Sequence, residues 1–255
     1  MDSRETRYRA KEIKFMTDVS MRDSLIDWAR KNLEPDGHGA GEHRDLYSTT
    51  SLYFETPTFD VYQRKGSFGR AKYRVRRYGD SDVVFLERKF RTARLLAKRR
   101  TTVPLQDIER IGDPNPDPSW HGYWFYRRIN ARKLRPLIQF SYDRIARVGT
   151  ASHGPFRMTV DSNLHVLPMP TQAFLLGVGM PVLTDKCIVE MKYCMALPAI
   201  LKGMVEDVKL EIQKVSKFRV GLRSLDYPLP KDADEDAVMP NEVSGLEEAE
   251  QKYFD

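Results

Sequence analysis

Between Phe68 and Val103 the chain reads FGRAKYRVRRYGDSDVVFLERKFRTARLLAKRRTTV, and no other stretch restricts the fold as much. The two-residue period of a strand sends alternate side chains to opposite faces. On that period Lys72, Arg74 and Arg76 share one face, and Tyr73, Val75 and Arg77 share the other. The turn signal Tyr78-Gly79-Asp80-Ser81 introduces a second run that groups Phe85, Glu87 and Lys89. A third run, Leu95 to Val103, sets Lys98 with Arg100. From Arg64 to Arg100 there are fourteen Lys and Arg against three acids (Asp80, Asp82 and Glu87), a local charge of +11. Like charges facing one another across strands repel, so a sheet bearing them on one face calls for an anion. A solvated outer face is the ordinary explanation of a charge run. The other face argues against it here: Tyr73, Val75, Val84, Leu86, Phe90 and Leu96 suit packing under helices outside a barrel. The Lys and Arg would then point inward. A barrel of about eight strands can hold one small ligand, and a basic lining suits a polyphosphate or a nucleoside triphosphate.

The overall charge of +6 conceals an asymmetry. Residues 225–255 hold ten acids and two bases, which leaves 40 bases and 26 acids, a net +14, in the other 224 residues. A body that basic seeks a polyanion: nucleic acid, anionic membrane or phosphate-rich metabolites. No run approaches the eighteen apolar residues of a membrane span. MDSRETRYRAKEIKF lacks the apolar core of a signal peptide, so a cytoplasmic location is expected, with no membrane insertion. Cys187 and Cys194 lie seven apart on one expected strand, hence on opposite faces, and show no metal-site spacing. The five histidines fall mostly in expected loops and form no cluster.

Elsewhere the pattern predicts a strand over Arg7–Met16 with Glu12 and Lys14 on one face, and a helix capped by Ser20. A β-branched and aromatic strand follows over Leu46–Thr56. An aromatic helix is expected over Ser119–Leu134, a hairpin over Pro136–Val148 and Phe156–His165, and a strand over Cys187–Tyr193 that pairs Glu190 with Lys192 on one face. Helices should start at Leu197-Pro198 and after Ser216. The acidic stretch beyond Leu229 lacks apolar mass and reads as mostly disordered.

Same-face polar positions from these segments are Glu12, Lys14, Arg74, Arg76, Glu87, Lys89, Lys98, Arg100, Arg144, Arg157 and Glu190. The cations come from at least five strands, and the interspersed carboxylates are what a hard divalent cation on phosphates requires. The segments SLYFETPTFDVY, KYRVRRYGD, VFLERK, KRR, FSYDR, IVEMKY and SKF also occur in this order. In that order they resemble the VTC domain, the polyphosphate polymerase domain of the vacuolar transporter chaperone complex and its bacterial relatives. That domain belongs to the triphosphate tunnel metalloenzyme (CYTH-like) superfamily, and the likeness covers about Tyr8 to Leu225.

The resemblance implies an α+β fold over residues 1–228, with a closed antiparallel β-barrel of about eight strands forming a triphosphate tunnel flanked by helices. Residues 229–255 would be an acidic tail outside it. It implies that Arg74, Arg76, Lys89, Lys98 and Arg144 grip phosphates, that Lys14 and Arg100 extend the lining, and that Lys217 closes over the phosphates from the last helix; Arg157, by its strand face, is expected to join the phosphate-binding residues. Glu190, helped by Glu12 or Glu87, would hold Mn²⁺ or Mg²⁺. The superfamily's opening Glu-x-Glu-x-Lys reads Ala10-x-Glu12-x-Lys14 here, one carboxylate short. This favours the polymerase branch, with ATP and inorganic polyphosphate as substrates, over hydrolysis of triphosphate or cleavage of a nucleotide. A binding module without catalysis is the third possibility. Nucleic acid is disfavoured, because the interleaved Tyr73, Tyr78, Phe85 and Phe90 mostly alternate away from the basic face and would set stacking and phosphate contacts on opposite sides. The eukaryotic complex's phosphate-sensing SPX domain and membrane helices have no counterpart in the sequence, so translocation is not expected.

Overall fold

The computed structural model describes residues 3–6, 10–66, 71–91, 96–169, 171, 173–177, 179–213 and 215–230, with backbone alone at 3–6, 10, 91, 96 and 97. The acidic segment from residue 231 and the side chain of Leu96 therefore lie outside the described residues.

Strand-forming segments assemble into one antiparallel sheet. Its continuous path runs β1 (Ser3–Thr6), β7 (Leu96–Pro104), β6 (Val83–Arg91), β5 (Ala71–Tyr78), β4 (Leu46–Glu55), β8 (Arg135–Ala151), β9 (Gly154–Pro168), β11 (Lys186–Cys194) and β2 (Ala10–Asp18). The short β3 (Glu34–Pro35) pairs with β8, and β10 (Met180–Pro181) pairs with β9. The sheet does not close. β1 and β2 are its edges, and among the described residues no ladder joins them. This overturns the expectation of a closed barrel of about eight strands. Alternation reports which face a side chain takes, not whether two edges meet, and strand twist suffices to curl distant strands toward each other. Side chains span the opening: Lys89 Nζ on β6 lies 3.2 Å from both carboxylate oxygens of Glu12 on β2, although five strands separate β6 from β2 along the path.

The convex face is covered by helices, for the reason its sequence suggested. Tyr73, Val75, Val84 and Leu86 are fully buried and share a core with Phe125 and Ile129 of α2 (Tyr123–Ala131). Ile13 and Phe15, alternating with Glu12 and Lys14, join Leu25 and Ala29 of α1 (Arg22–Asn32) and Leu201 and Met204 of α3 (Ala199–Val208) in a second core. A last helix, α4 (Lys217–Arg223), lies instead on the concave side. A β-carbon on Gly221 would come within 2.9 Å of both Ile138 and Phe140, so glycine permits that approach. Among the described residues no helix is long and apolar enough to cross a membrane.

Two helix starts differ from expectation. Ser20 lies in a 3₁₀ turn (Val19–Met21), and α1 begins at Arg22 without a side-chain cap. The Ser119–Leu134 helix shortens to α2: a turn in which Asp117 accepts the Ser119 N–H at 2.8 Å and hydroxyl at 2.5 Å precedes it, and Lys133 at φ +53° follows its end.

Candidate functional site

Register places the charged residues of three adjacent strands in rows on the concave face. Lys72, Lys89 and Lys98 form one row, Arg74, Glu87 and Arg100 the next, and Arg76, Phe85 and Thr102 a third, with Tyr78 beyond. Glu87 organises the middle row. It is 1% exposed, and its two oxygens accept from Arg74 Nε and Arg100 Nε at 2.6 Å, with Lys98 Nζ at 2.8 Å. Burial opposes its ionisation, but Arg74, Arg76, Lys98 and Arg100 outweigh that and hold the carboxyl well below the usual range. Arg76 is buried and donates to Ser51 Oγ at 3.0 Å on β4.

Opposite this block, across the mouth of the curl, β2 and β11 bring two carboxylates together. Glu190 pairs in register with Lys14, and Lys192 with Glu12. Lys14 Nζ lies 3.3 Å from Glu12 and 3.1 Å from Glu190, and Lys192 Nζ lies 2.7 Å from Glu190 and 3.6 Å from Glu12. Burial and the neighbouring Glu190 push the Glu12 carboxyl up, yet Lys89, Lys14 and Lys192 bring it down to about 2. Thr159 faces Glu190 across β9 and β11; its buried hydroxyl has no hydrogen-bond partner among the described residues. No cluster of three or more His, Cys, Asp and Glu is gathered among those residues.

A third group closes the inner end. Arg144 donates two bonds to Asp161, at 2.6 and 2.7 Å, and Lys217 of α4 donates a third at 2.7 Å. Asp161 is fully buried; although burial resists it, Arg144 and Lys217 draw its carboxyl down to about 2. Arg144 and Asp161 are direct partners in the β8–β9 ladder, and a register shift follows just beyond them. Asn163 adopts φ +51° there, and the shift brings Val166, five residues after Asp161, opposite Phe140 on the same face. Lys72 Nζ donates to Ser216 Oγ at 3.0 Å, at the start of α4. Burial, with Lys14, Lys89, Arg64 and Arg219 nearby, pushes the Lys72 ammonium down to about 7.

The structure thus brings Lys14, Arg74, Arg76, Lys89, Lys98, Arg100, Arg144, Lys217, Glu12, Glu87 and Glu190 onto one concave face. Arg157 shares it but is turned to Asp36, at 2.6 Å, and to the Tyr47 hydroxyl. Sequence reasoning left Lys72, Lys192 and Asp161 out of the site, although each sat on the correct strand face by alternation.

The sequence matches the VTC domain over residues 9–226. The chain belongs to the VTC domain family. No curated protein matches it. Among solved structures, a candidate adenylate cyclase from Bacillus halodurans shares the fold at a TM-score of 0.51 and 13% identity, covering 82% of this chain and 96% of that one. A candidate adenylyl cyclase from Hippeastrum, described as having a dominant triphosphatase activity, aligns at a TM-score of 0.45 and 15% identity over 89% and 98% of the two chains. A Pyrococcus horikoshii OT3 protein aligns at 0.45 and 12% over 84% and 100%. In this VTC domain the matched residues span every strand of the concave face from β2 onward.

Proposed function

We propose that this VTC domain transfers the γ-phosphate of ATP to the end of an inorganic polyphosphate chain held along its concave face, with residues 1–228 as the working unit and 229–255 as an appended acidic tail. The observation that carries the reading is the set of registered cation rows on β5, β6 and β7 facing Lys14, Lys192, Arg144 and Lys217. The cations on this face outnumber Glu12, Glu87, Glu190 and Asp161 among them, and a phosphate chain would bring the negative charge that balances the excess.

Phosphoryl transfer asks the protein mainly for in-line positioning and charge neutralisation. A terminal oxygen of the polyphosphate would attack the γ-phosphorus of ATP while the bond to the β-phosphate oxygen breaks and ADP leaves. The attacking oxygen is already anionic, so no general base is required. Arg74, Arg76 and Arg144 offer planar forks for phosphate oxygens, and Lys89, Lys98 and Lys217 offer point charges. Glu87 acts in this reading as the counter-ion that holds Arg74, Lys98 and Arg100 in one layer, since cations engage both its oxygens.

Glu190 and Glu12, with the orphaned Thr159 hydroxyl beside Glu190, form an all-oxygen donor set that fits Mn²⁺ or Mg²⁺, which commonly take one or two carboxylates plus phosphate oxygens. Such a cation, when bound, supplies charge neutralisation for the phosphates and the leaving group. Lys14 and Lys192, which bridge the two carboxylates, would turn to the substrate.

The test is direct. Purified protein with ATP and Mn²⁺ should produce polyphosphate visible on a stained gel, and Arg74→Ala with Arg76→Ala should abolish it. Equal product from wild type and the double variant, or free phosphate without chains, would overturn the polymerase reading.

A further inference from the structure

Along β5 and β6 the concave face changes character toward the β5–β6 turn. The row of Lys72, Lys89 and Lys98 is wholly cationic, whereas the outermost positions carry Phe85, Thr102 and Tyr78 with Arg76 as their cation. Tyr78 ends β5 and Phe85 lies near the start of β6, so both flank the exposed turn Gly79–Asp82 and stand at the rim. Their ring centroids are 5.3 Å apart at 58°, and Tyr47 meets Tyr78 edge-on at 5.5 Å and 89°. None of the three is stacked face to face on another, and Tyr78 and Phe85 remain partly exposed.

Arg100 ties this rim to the phosphate rows. Its guanidinium lies 4.4 Å from the Phe85 ring centroid, its Nη2 donates to the Tyr78 hydroxyl at 3.1 Å, and its Nε is held by Glu87. A bare phosphate chain gains nothing from aromatic faces. A nucleotide needs both chemistries end to end: a flat ring to stack and a charged tail to neutralise.

We infer that Tyr78 and Phe85, backed by Tyr47, form a nucleobase subsite at the rim of the basic face. The exposed Thr102 lies opposite Phe85 and can offer its hydroxyl to the base edge. The inference rests on the proposed phosphate site, because it places the base only where the triphosphate would already lie along Arg76 and Arg74. Stacking on an aromatic face tolerates any base, so the subsite distinguishes nucleotides from inorganic phosphates more than adenine from guanine.

Titration calorimetry of two ligands tests it: a non-hydrolysable ATP analogue and inorganic tripolyphosphate, each with wild type, Phe85→Leu and Tyr78→Phe. Wild type should bind the ATP analogue better than its phosphates alone would allow. Phe85→Leu should lower the ratio of analogue to tripolyphosphate affinity by about tenfold, as expected from one lost base–ring contact. Tyr78→Phe, which keeps the ring, should preserve that ratio even where both affinities fall. An unchanged ratio in Phe85→Leu, with tripolyphosphate still bound, overturns the nucleobase subsite and leaves the phosphate site standing. Wild type binding neither ligand, or binding both equally well after Arg74→Ala with Arg76→Ala, overturns the two together.

Discussion

Lys72 offers a quantitative handle on the basic face. Its ammonium is pushed down to about 7 by burial and by surrounding cations, Lys14 and Lys89 foremost. A lysine with that value is only about 10% protonated at pH 8. A bound triphosphate would replace the like-charge field with an attractive one and return the group toward its ordinary pKa. Binding at pH 8 should therefore take up about 0.9 proton at this residue, against about 0.1 at pH 6, where it already carries its charge. Apparent affinity should accordingly decline with rising pH above 7, by at most about tenfold per unit from this group. The stability sign is opposite to that of a salt-bridged lysine. The unfolded chain retains this proton between pH 7 and about 10.5 while the native state has lost it, so the destabilisation is full below pH 7 and fades as pH rises to about 10.5. Lys72→Met should thus melt higher than wild type at pH 7 and bind tripolyphosphate less tightly. The assay is titration calorimetry at pH 8 in two non-phosphate buffers of different ionisation enthalpy. A proton uptake identical in wild type and Lys72→Met would refute the reasoning.

Other consequences can be checked separately. Glu87→Gln leaves Arg74, Lys98 and Arg100 converging on a neutral group and should cost about 3–5 kcal/mol by denaturant unfolding, the usual effect of breaking a buried ion pair; an unchanged midpoint would remove Glu87 from its organising role. Asp161, drawn down to about 2, gives stability that is present above its ordinary pKa near 4 and is lost as pH falls toward 2. Asp161→Asn should flatten that acid limb and loosen Lys217, seen as lower melting at pH 7 and little difference at pH 2. Glu190→Ala should raise the Mn²⁺ concentration needed for product formation at least tenfold, while wild type and variant show the same circular dichroism; an unchanged metal requirement would exclude Glu190 as a ligand.

Strand faces were legible because alternation is local. Lys72, Arg74 and Arg76 had to share a side with Glu87 and Lys89 once β5 and β6 paired, and the apolar residues between them had to be covered. Closure was not legible, since it depends on whether β1 and β2 meet, and no residue pattern within either strand records that. The Asp161 cluster was legible only in part: alternation sets Asp161 on the face of Arg157, but its pairing with Arg144 and Lys217 depends on the β8–β9 register and on where α4 packs, and neither is local to one strand. Arg157 lay on the expected face but is held by Asp36, a partner supplied by the loop after β3 that no strand periodicity could reveal. The shortened α2 shows the same limit, for its aromatic spacing does not record the turn before Tyr123 or the positive φ of Lys133 after Ala131.

The central claim is that phosphates lie along the concave face. A co-crystal structure with a non-hydrolysable ATP analogue and Mn²⁺ measures it most directly. The account predicts phosphate density within hydrogen-bonding distance of Arg74, Arg76, Arg144 and Lys217, with the metal at Glu190. Phosphates bound instead on the convex side, beside Arg88 and Arg99, would contradict it.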